Sequence, residues 1–149
     1  MDGARSHLTR RPIVLLLTID TFAWLEVIRG SEVGRQAEAN IGSAERCLTP
    51  SVVIAEVASK CHQDGFGDKL VLLELQAIME ASEIVPIDPE VALSASHGVE
   101  ELRARARAGR LPPPGLADGL VLATARAHSS RILTGDPHFR GLPETVWLG

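Results

Sequence analysis

The segment Pro12-Ile-Val-Leu-Leu-Leu-Thr-Ile-Asp20 is the strongest indication of fold class in this chain of 149 residues. From Ile13 to Ile19 it is a continuous apolar run of strand length, the pattern of a central parallel strand that is covered on both faces. A carboxylate, Asp20, ends the run. We expect residues 12–149 to form one domain and the polar residues 1–11 to form a loose N-terminal segment.

Strand-like and helix-like segments alternate along the rest of the chain. Further strands are predicted at 47–48, 84–87, 131–134 and 145–148, and helices over 22–28, 32–41, 51–60, 69–81, 89–108 and 116–128. Thr49-Pro50 is typical of a helix start, whereas Gly98 marks a potential break within a helix. Because alternating elements imply right-handed crossovers, the pattern predicts an α/β fold, a three-layer α/β/α sandwich with a mainly parallel central sheet.

Composition limits the classes of function. A net charge of −4 does not indicate a globally basic nucleic-acid binder, although a cation held by acidic residues can supply the missing positive charge. Cys47 and Cys61 form no CxxC motif and are expected to be reduced, and His62 beside Cys61 lacks the further ligands that zinc requires. The apolar run is too short to span a bilayer, so a cytoplasmic protein without a membrane partner is expected.

Four acidic residues stand out because they lie at the ends of predicted strands or in the first turns of predicted helices. Burying several such charges together is costly unless a cation neutralises them. Ligands of open parallel sheets gather at the carboxyl ends of the strands. The residues therefore predict a divalent-metal site and phosphoryl chemistry. They are Asp20, Glu56, Asp118 and Asp136.

Each acid also has a separate structural explanation. Asp20 could cap a helix, and Asp118 could interact with the positive end of a helix dipole. Asp136, which precedes a proline, could start a turn. Glu56 could form an ion pair with Lys60, four residues later on the same helix. A shared metal site explains all four acids at once.

The four acids lie in the segments Thr18-Ile-Asp-Thr21, Leu48-Thr-Pro-Ser-Val-Val-Ile-Ala-Glu-Val57, Leu116-Ala-Asp-Gly-Leu-Val-Leu-Ala-Thr-Ala125 and Ile132-Leu-Thr-Gly-Asp-Pro-His-Phe139. In this order the segments resemble the motifs of PIN-domain ribonucleases, a family that includes the toxin half of VapBC-type toxin–antitoxin pairs. The resemblance extends from about Ile13 to Leu148 and implies an endoribonuclease that uses Mg²⁺ or Mn²⁺ to activate water.

The resemblance also implies roles for individual residues. Asp20, Asp118 and Asp136 are expected to bind the metal, with Glu56 as a further ligand or a contact through water. Two hydroxyl residues, Thr21 and Thr134, are expected to orient carboxylates or a metal-bound water.

Two positions depart from the family pattern. His138 occupies the position where the family often has another aspartate, which affects a potential second metal site. Gly119 occupies the position that is usually alanine, and glycine weakens a helix start.

The partners implied by the resemblance are an RNA substrate, an antitoxin protein and a second copy in a homodimer. Arg103, Arg107 and Arg110 are candidates for contacts to RNA phosphates or to an acidic antitoxin tail. Alternatively, Arg103 and Arg107 form a solvated helix stripe that pairs with Glu100 or interacts with the helix C-terminus. The helices at 22–28 and 69–81 are candidate interface faces. Because aromatic residues make up 3% of the chain, sequence-specific reading of single strands by stacking is not expected, and Trp24 and Trp147 are expected in the core.

Other functions remain open from the sequence. An aspartyl-phosphate phosphatase would place an aspartate where Phe22 lies, and a receiver domain would need a lysine beyond Lys69. Within the family, the alternatives to a toxin are a housekeeping RNA-processing nuclease and a degenerate PIN domain that only binds RNA or protein. His138 keeps the last alternative open.

Overall fold

A computed structural model describes residues 15–149 of the chain. The strands are β1 (Leu16–Ile19), β2 (Arg46–Pro50), β3 (Glu83–Val85), β4 (Arg131–Thr134) and β5 (Thr145–Trp147). The helices are α1 (Thr21–Arg29), α2 (Glu32–Ser43), α3 (Ser51–Gln63), α4 (Asp68–Ala81), α5 (Pro89–Ala108) and α6 (Leu116–Ala127), and a 3₁₀ turn, Pro137–Phe139, follows β4. The predicted segment 1–11 and the predicted strand residues 13–14 lie outside this described part.

The five strands form one parallel sheet in the order β3-β2-β1-β4-β5. Strand β1 is central, and its Thr18 lies opposite Leu48 of β2 and Ile132 of β4. The chain moves outwards from β1 to β3 and then returns across β1 to β4. Right-handed crossovers therefore place α1 to α4 on one face and α5 and α6 on the other. The predicted three-layer α/β sandwich is confirmed.

The reversal of strand order lies between β1 and β4. Open α/β sheets bind ligands at the carboxyl ends of the strands that flank such a reversal. Leu17 and Ile19 of β1 and Ile132 and Leu133 of β4 have no exposed surface, which fits strands covered on both faces. The fold thus holds Asp20, directly after β1, close to the loop after β4.

Helix α5 runs without interruption from Pro89 to Ala108, so the predicted break at Gly98 is wrong. A Cβ atom on Gly119 of α6 would lie 2.7 Å from the Ala95 carbonyl oxygen and 2.9 Å from Val99 Cβ. The absence of a side chain at Gly119 therefore lets α5 and α6 pack closely. This close approach explains why glycine replaces the alanine expected there.

Thr49 does not cap helix α3, because β2 continues to Pro50 and the helix begins at Ser51. Its buried hydroxyl accepts a hydrogen bond of 3.0 Å from Trp24 Nε1 and lies 2.7 Å from Ser82 Oγ. Trp24 is a core residue, as predicted, with 4% of its surface exposed. Trp147 is only partly buried, with the Arg140 guanidinium 5.0 Å from its ring centroid, so its prediction as a core residue is wrong.

Both cysteines, Cys47 and Cys61, are free and buried. Burial raises the pKa of each thiol, which favours the unreactive protonated form. Among the helices within residues 15–149, none combines the length and the apolar character needed to cross a membrane.

Candidate metal centre

Asp20 lies where β1 ends and α1 begins. Its Oδ1 accepts a hydrogen bond of 2.9 Å from the Ala23 backbone N–H, so it does cap the helix. Its Oδ2 accepts a 2.5 Å hydrogen bond from the Thr134 hydroxyl at the end of β4. Asp20 is only 3% exposed, and capping alone does not require such burial. The carboxylate therefore joins the two central strands.

The environment of Asp20 opposes its negative charge. Burial raises its pKa from 3.8 to about 7, against the hydrogen bonds from Thr134 and Ala23, and the charges of Asp136 and Asp118 raise it further. A nearby divalent cation would reverse this balance, because it favours the ionised carboxylate.

Thr134 connects two of the predicted acids. Its hydroxyl donates to Asp20 and accepts a hydrogen bond of 2.9 Å from the Asp136 backbone N–H. Since Thr134 has no exposed surface, water does not compete for these bonds. The two hydrogen bonds fix the start of the loop that carries Asp136.

His138 contacts Asp136 and a second loop at the same time. Its Nδ1 lies 2.8 Å from Asp136 Oδ1, and its Nε2 lies 2.7 Å from the Pro112 carbonyl oxygen. Both partners are acceptors, so the ring satisfies both contacts only as a protonated imidazolium. Burial alone would lower the pKa of His138, but the Pro112 hydrogen bond and the charge of Asp136 raise it above its usual value.

Asp118 lies in the first turn of α6, where its Oδ2 accepts a 3.2 Å hydrogen bond from the Gly115 backbone N–H. Burial, followed by the charge of Asp136, raises its pKa from 3.8 to about 6. The charge of Glu56 acts in the same direction. Three of the predicted acids thus influence one another through a shared region.

Glu56 lies in the second turn of α3, and its Oε1 accepts a 2.6 Å hydrogen bond from the Thr21 hydroxyl. Thr21 and Thr134 therefore each donate to one acid. Within residues 15–149, Glu56 forms no ion pair with Lys60. That alternative explanation of Glu56 is wrong.

Donor atoms of Asp118, Asp136 and His138 lie within 4.8 Å of one another. Asp20 and Glu56 are outside this closest group, but the charges of Asp136 and Asp118 raise the pKa of Asp20, and the charge of Glu56 raises the pKa of Asp118. Carboxylate oxygens suit Mg²⁺ and Mn²⁺, and a cation would favour the ionised form of Asp118, whose pKa is raised first by burial and then by the charge of Asp136. The donor set therefore fits a hard divalent ion.

Glu56, Asp118 and Asp136 line a cleft between α1, α3, α6 and the loop after β4, whereas Asp20 lies outside its lining. Besides the acids, its lining contains an apolar wall and two cations that sequence analysis did not assign to the site. Lys60 was detectable, because it follows Glu56 by one helical turn. The lining residues are Thr21, Phe22, Leu25, Arg29, Glu56, Lys60, Asp118 and Asp136.

The three arginines predicted as RNA or partner contacts do not line this cleft. Arg103 pairs with Glu100 at 2.8 Å, as the solvated-stripe interpretation predicts, and donates to the Pro114 carbonyl oxygen at 3.4 Å. Arg107 and Arg110 are exposed. Contacts of these arginines to a partner remain a prediction.

The family model described as PIN domain matches residues 17–144. Similar solved folds include a toxin–antitoxin complex from Klebsiella pneumoniae, with 18% identity, a TM-score of 0.65 and coverage of 87% of this chain and 95% of that chain. The VapC20 toxin of Mycobacterium tuberculosis, described as cleaving the sarcin-ricin loop, has 13% identity and a TM-score of 0.66. The match covers 86% of this chain and 95% of that chain. FitAcB from Neisseria gonorrhoeae has 23% identity and a TM-score of 0.57, and the match covers 80% of this chain and 87% of that chain. No curated protein matches the chain significantly.

Proposed function

The chain belongs to the PIN domain family, and from this membership together with its acidic cleft we propose that it is a Mg²⁺- or Mn²⁺-dependent endoribonuclease. The observation that carries the proposal is the convergence of Asp118 and Asp136, within 4.8 Å of each other, at the sheet edge where Asp20 is buried. Helix capping and turn formation alone do not explain why several mutually repelling carboxylates lie so close together.

In this proposal Asp20, Asp118 and Asp136 hold the metal, and Glu56 contributes as a ligand or through a water molecule. A bound Mg²⁺ or Mn²⁺ would polarise a water for attack on the scissile phosphate and stabilise the charge of the departing oxygen. The reaction then needs no serine, cysteine or histidine nucleophile.

The chain's own contribution is to fix the oxygens before the substrate binds. Thr134 holds Asp20 and the Asp136 backbone, and Thr21 holds Glu56. The Gly115 N–H holds Asp118. Hydrogen bonds that orient ligating carboxylates preserve both the geometry and the affinity of a metal site.

His138 acts in this proposal as a positioning residue. Both of its ring nitrogens already contact acceptors, Asp136 Oδ1 and the Pro112 carbonyl oxygen, so binding a metal would break one of these contacts. The imidazolium instead holds Asp136 against the loop that precedes α6. Its positive charge also offsets part of the acidic charge that remains in the cleft.

Cleavage of a labelled RNA in Mg²⁺ or Mn²⁺, with and without EDTA, tests the proposal. Asp118→Asn and Asp136→Asn should each abolish cleavage, because each removes a charged metal ligand. Asp88→Asn is the matched control, since Asp88 caps α5 away from the cleft through a 2.8 Å bond to the Val91 N–H. Full activity of either site variant, or undiminished activity in EDTA, contradicts the assignment.

We further propose that the chain is a toxin neutralised by an antitoxin. The similar folds from Klebsiella pneumoniae and Mycobacterium tuberculosis are a toxin–antitoxin complex and a toxin. An apolar groove between α1, α2 and α4, bordered by Glu38 and Glu74, suits a partner segment with apolar and basic side chains. Its apolar lining is Trp24, Val27, Ile28, Ile41, Gly42, Ala77, Ile78 and Ala81.

Expression should arrest growth, and co-expression of the protein encoded next to this chain should restore it. Ala77→Lys places a positive charge on the exposed side of the groove, where it would repel the basic side chains of the partner, and should abolish the rescue while cleavage of RNA continues. Normal growth on expression would favour the alternative, a housekeeping RNA-processing nuclease. Binding of RNA without any cleavage would favour the degenerate binding module.

The proposed homodimer has a candidate face on α4. Four large apolar side chains of this helix are exposed, and exposed apolar patches are typical of interfaces. A mass measurement in solution tests the homodimer, which is contradicted by a monomer at micromolar concentration. The four residues are Leu70, Leu72, Leu73 and Met79.

A further inference from the structure

The cleft contains more than a metal site requires. Oxygen donors are sufficient for Mg²⁺ or Mn²⁺, yet Phe22 and Leu25 form an apolar wall directly beside them. Lys60 and Arg29 line the same cleft. This combination of acid, apolar and basic surfaces matches the parts of a nucleotide: a phosphate at the metal, a base at the wall and a further phosphate at the cations.

Phe22 is held next to the acids by a specific packing arrangement. Its ring lies so close to Gly135 that a Cβ atom there would be 2.4 Å from Phe22 Cε1 and 2.7 Å from Cζ. Gly135 lies between Thr134 and Asp136, so the ring packs against the backbone that carries the site. The ring is only partly buried, and part of its surface faces the cleft.

Lys60 is the less restrained of the two cations. The Arg29 guanidinium contacts Glu26 at 3.3 Å and Asp64 at 3.1 Å. Lys60 is exposed and forms no ion pair with any carboxylate within residues 15–149. Its ammonium group is therefore available for a phosphate at the edge of the cleft.

We propose that Phe22 stacks on one unpaired RNA base beside the scissile phosphate and that Lys60 binds the neighbouring phosphate, so the site cleaves single-stranded segments. This inference rests on the proposed ribonuclease function. A base within a duplex is covered on both faces by its neighbours and cannot reach the ring. The scarcity of aromatic residues does not oppose it, because one ring at the site is sufficient to stack one base.

The first experiment compares kcat/KM on a single-stranded RNA and on the same RNA with an abasic nucleotide beside the mapped cut. Phe22→Ala should lower kcat/KM on the intact RNA by about 5- to 100-fold. On the abasic RNA the variant and the wild type should be equal, a pattern that a structural defect would not produce. Phe22→Leu keeps an apolar side chain against Gly135 and should show the same pattern without loss of folding.

Phe66→Ala is the matched control, because Phe66 is also partly buried but does not line the cleft.

The second experiment tests the contact of Lys60 with the neighbouring phosphate. Lys60→Ala should weaken RNA binding and reduce the slope of log affinity against log salt by about one charge. Lys69→Ala removes the chain's other lysine, which lies on α4 outside the cleft, and should change neither quantity.

Equal losses of Phe22→Ala on intact and abasic RNA, or equal cleavage of single-stranded and blunt duplex RNA by the wild type, would overturn the stacking proposal and leave the ribonuclease function intact. If the wild type cleaves no RNA, the proposed function fails. The stacking proposal is then tested with Phe22→Trp, by measuring tryptophan fluorescence in EDTA as single-stranded RNA is added. Fluorescence quenching by single-stranded RNA beyond that of the wild type supports it, and an identical response overturns it.

Discussion

The metal-free protein should become less stable as the pH rises from 5.5 to 8, and Asp20 is the main cause. Its pKa is raised from 3.8 to about 7 in the folded state by burial, so the folded protein binds this proton more tightly than the unfolded chain does. The resulting stability is complete below the unfolded pKa and is lost as the pH rises through the folded pKa.

The size of the effect follows from the two pKa values. With 3.8 unfolded and about 7 folded, linkage gives a loss of about 2 kcal/mol between pH 5.5 and 8. No discount for solvent is needed, since Asp20 is 3% exposed. For a domain of this size the loss corresponds to a decrease of about 4–8 °C in Tm. Asp118 and His138, whose pKa values are also raised, change stability in the same direction.

Asp20→Asn removes this titration and should make the decrease in Tm between pH 5.5 and 8 smaller. Some decrease should remain, because Asp118 and His138 still titrate. The amide has one acceptor oxygen in place of the two that serve Ala23 and Thr134. The absolute stability of the variant therefore combines a gain with a loss, and the pH slope is the diagnostic quantity.

Thermal melts in EDTA at several pH values measure these slopes. Asp88→Asn, which alters a helix-capping carboxylate outside the cleft, should retain the wild-type slope. A bound divalent cation favours the ionised acid, so millimolar Mg²⁺ should raise the wild-type Tm more at pH 8 than at pH 5.5. A wild-type Tm in EDTA that is constant or increases towards pH 8 would contradict the raised pKa of Asp20.

Three substitutions test the packing and hydrogen bonding around the site. Gly135→Ala places a Cβ 2.4 Å from the Phe22 ring, so urea unfolding should show a loss of about 1–3 kcal/mol and cleavage assays a lower kcat. Thr134→Val leaves Asp20 and a backbone N–H without their buried partner and should cost about 1–3 kcal/mol in the same measurement, whereas Thr134→Ser should lose much less. Gly119→Ala should lower Tm through its contact of 2.7 Å with the Ala95 carbonyl oxygen. A stability equal to wild type contradicts each prediction.

The architecture was predictable because apolar runs of strand length and the periodic patterns of helices act locally. The run before Asp20 has the continuous pattern of a strand covered on both faces, and β1 is indeed the central strand. Gly98 was misinterpreted because sequence shows its low helix propensity and not the neighbour it faces. In the fold, a Cβ on Gly98 would lie 3.5 Å from Leu122 Cδ2, so the residue marks a crossing of helices.

The site was predictable only in part, because its acids lie at recognisable junctions but its other surfaces do not. Phe22 and Leu25 are three residues apart on α1, the spacing of an ordinary core-facing helix stripe. Only the fold reveals that both side chains line the cleft and that Phe22 is the more exposed of the two. The arginines of α5 gave a stronger charge signal than Lys60, yet Lys60 lines the cleft. The position of a cation in the fold, and not the density of charge in the surrounding sequence, determines whether it lines the cleft.

The burial of Asp20 couples the proposed metal site to the integrity of the sheet. One of its oxygens is bound by α1 and the other by Thr134 of β4, and the same threonine receives the Asp136 N–H. Strands β1 and β4 must therefore pair in register, with Ile19 opposite Leu133, before Asp20 and Asp136 can approach each other. Because the acids repel one another without a cation, this pairing opposes the repulsion, and a bound metal would stabilise the junction where the strand order reverses.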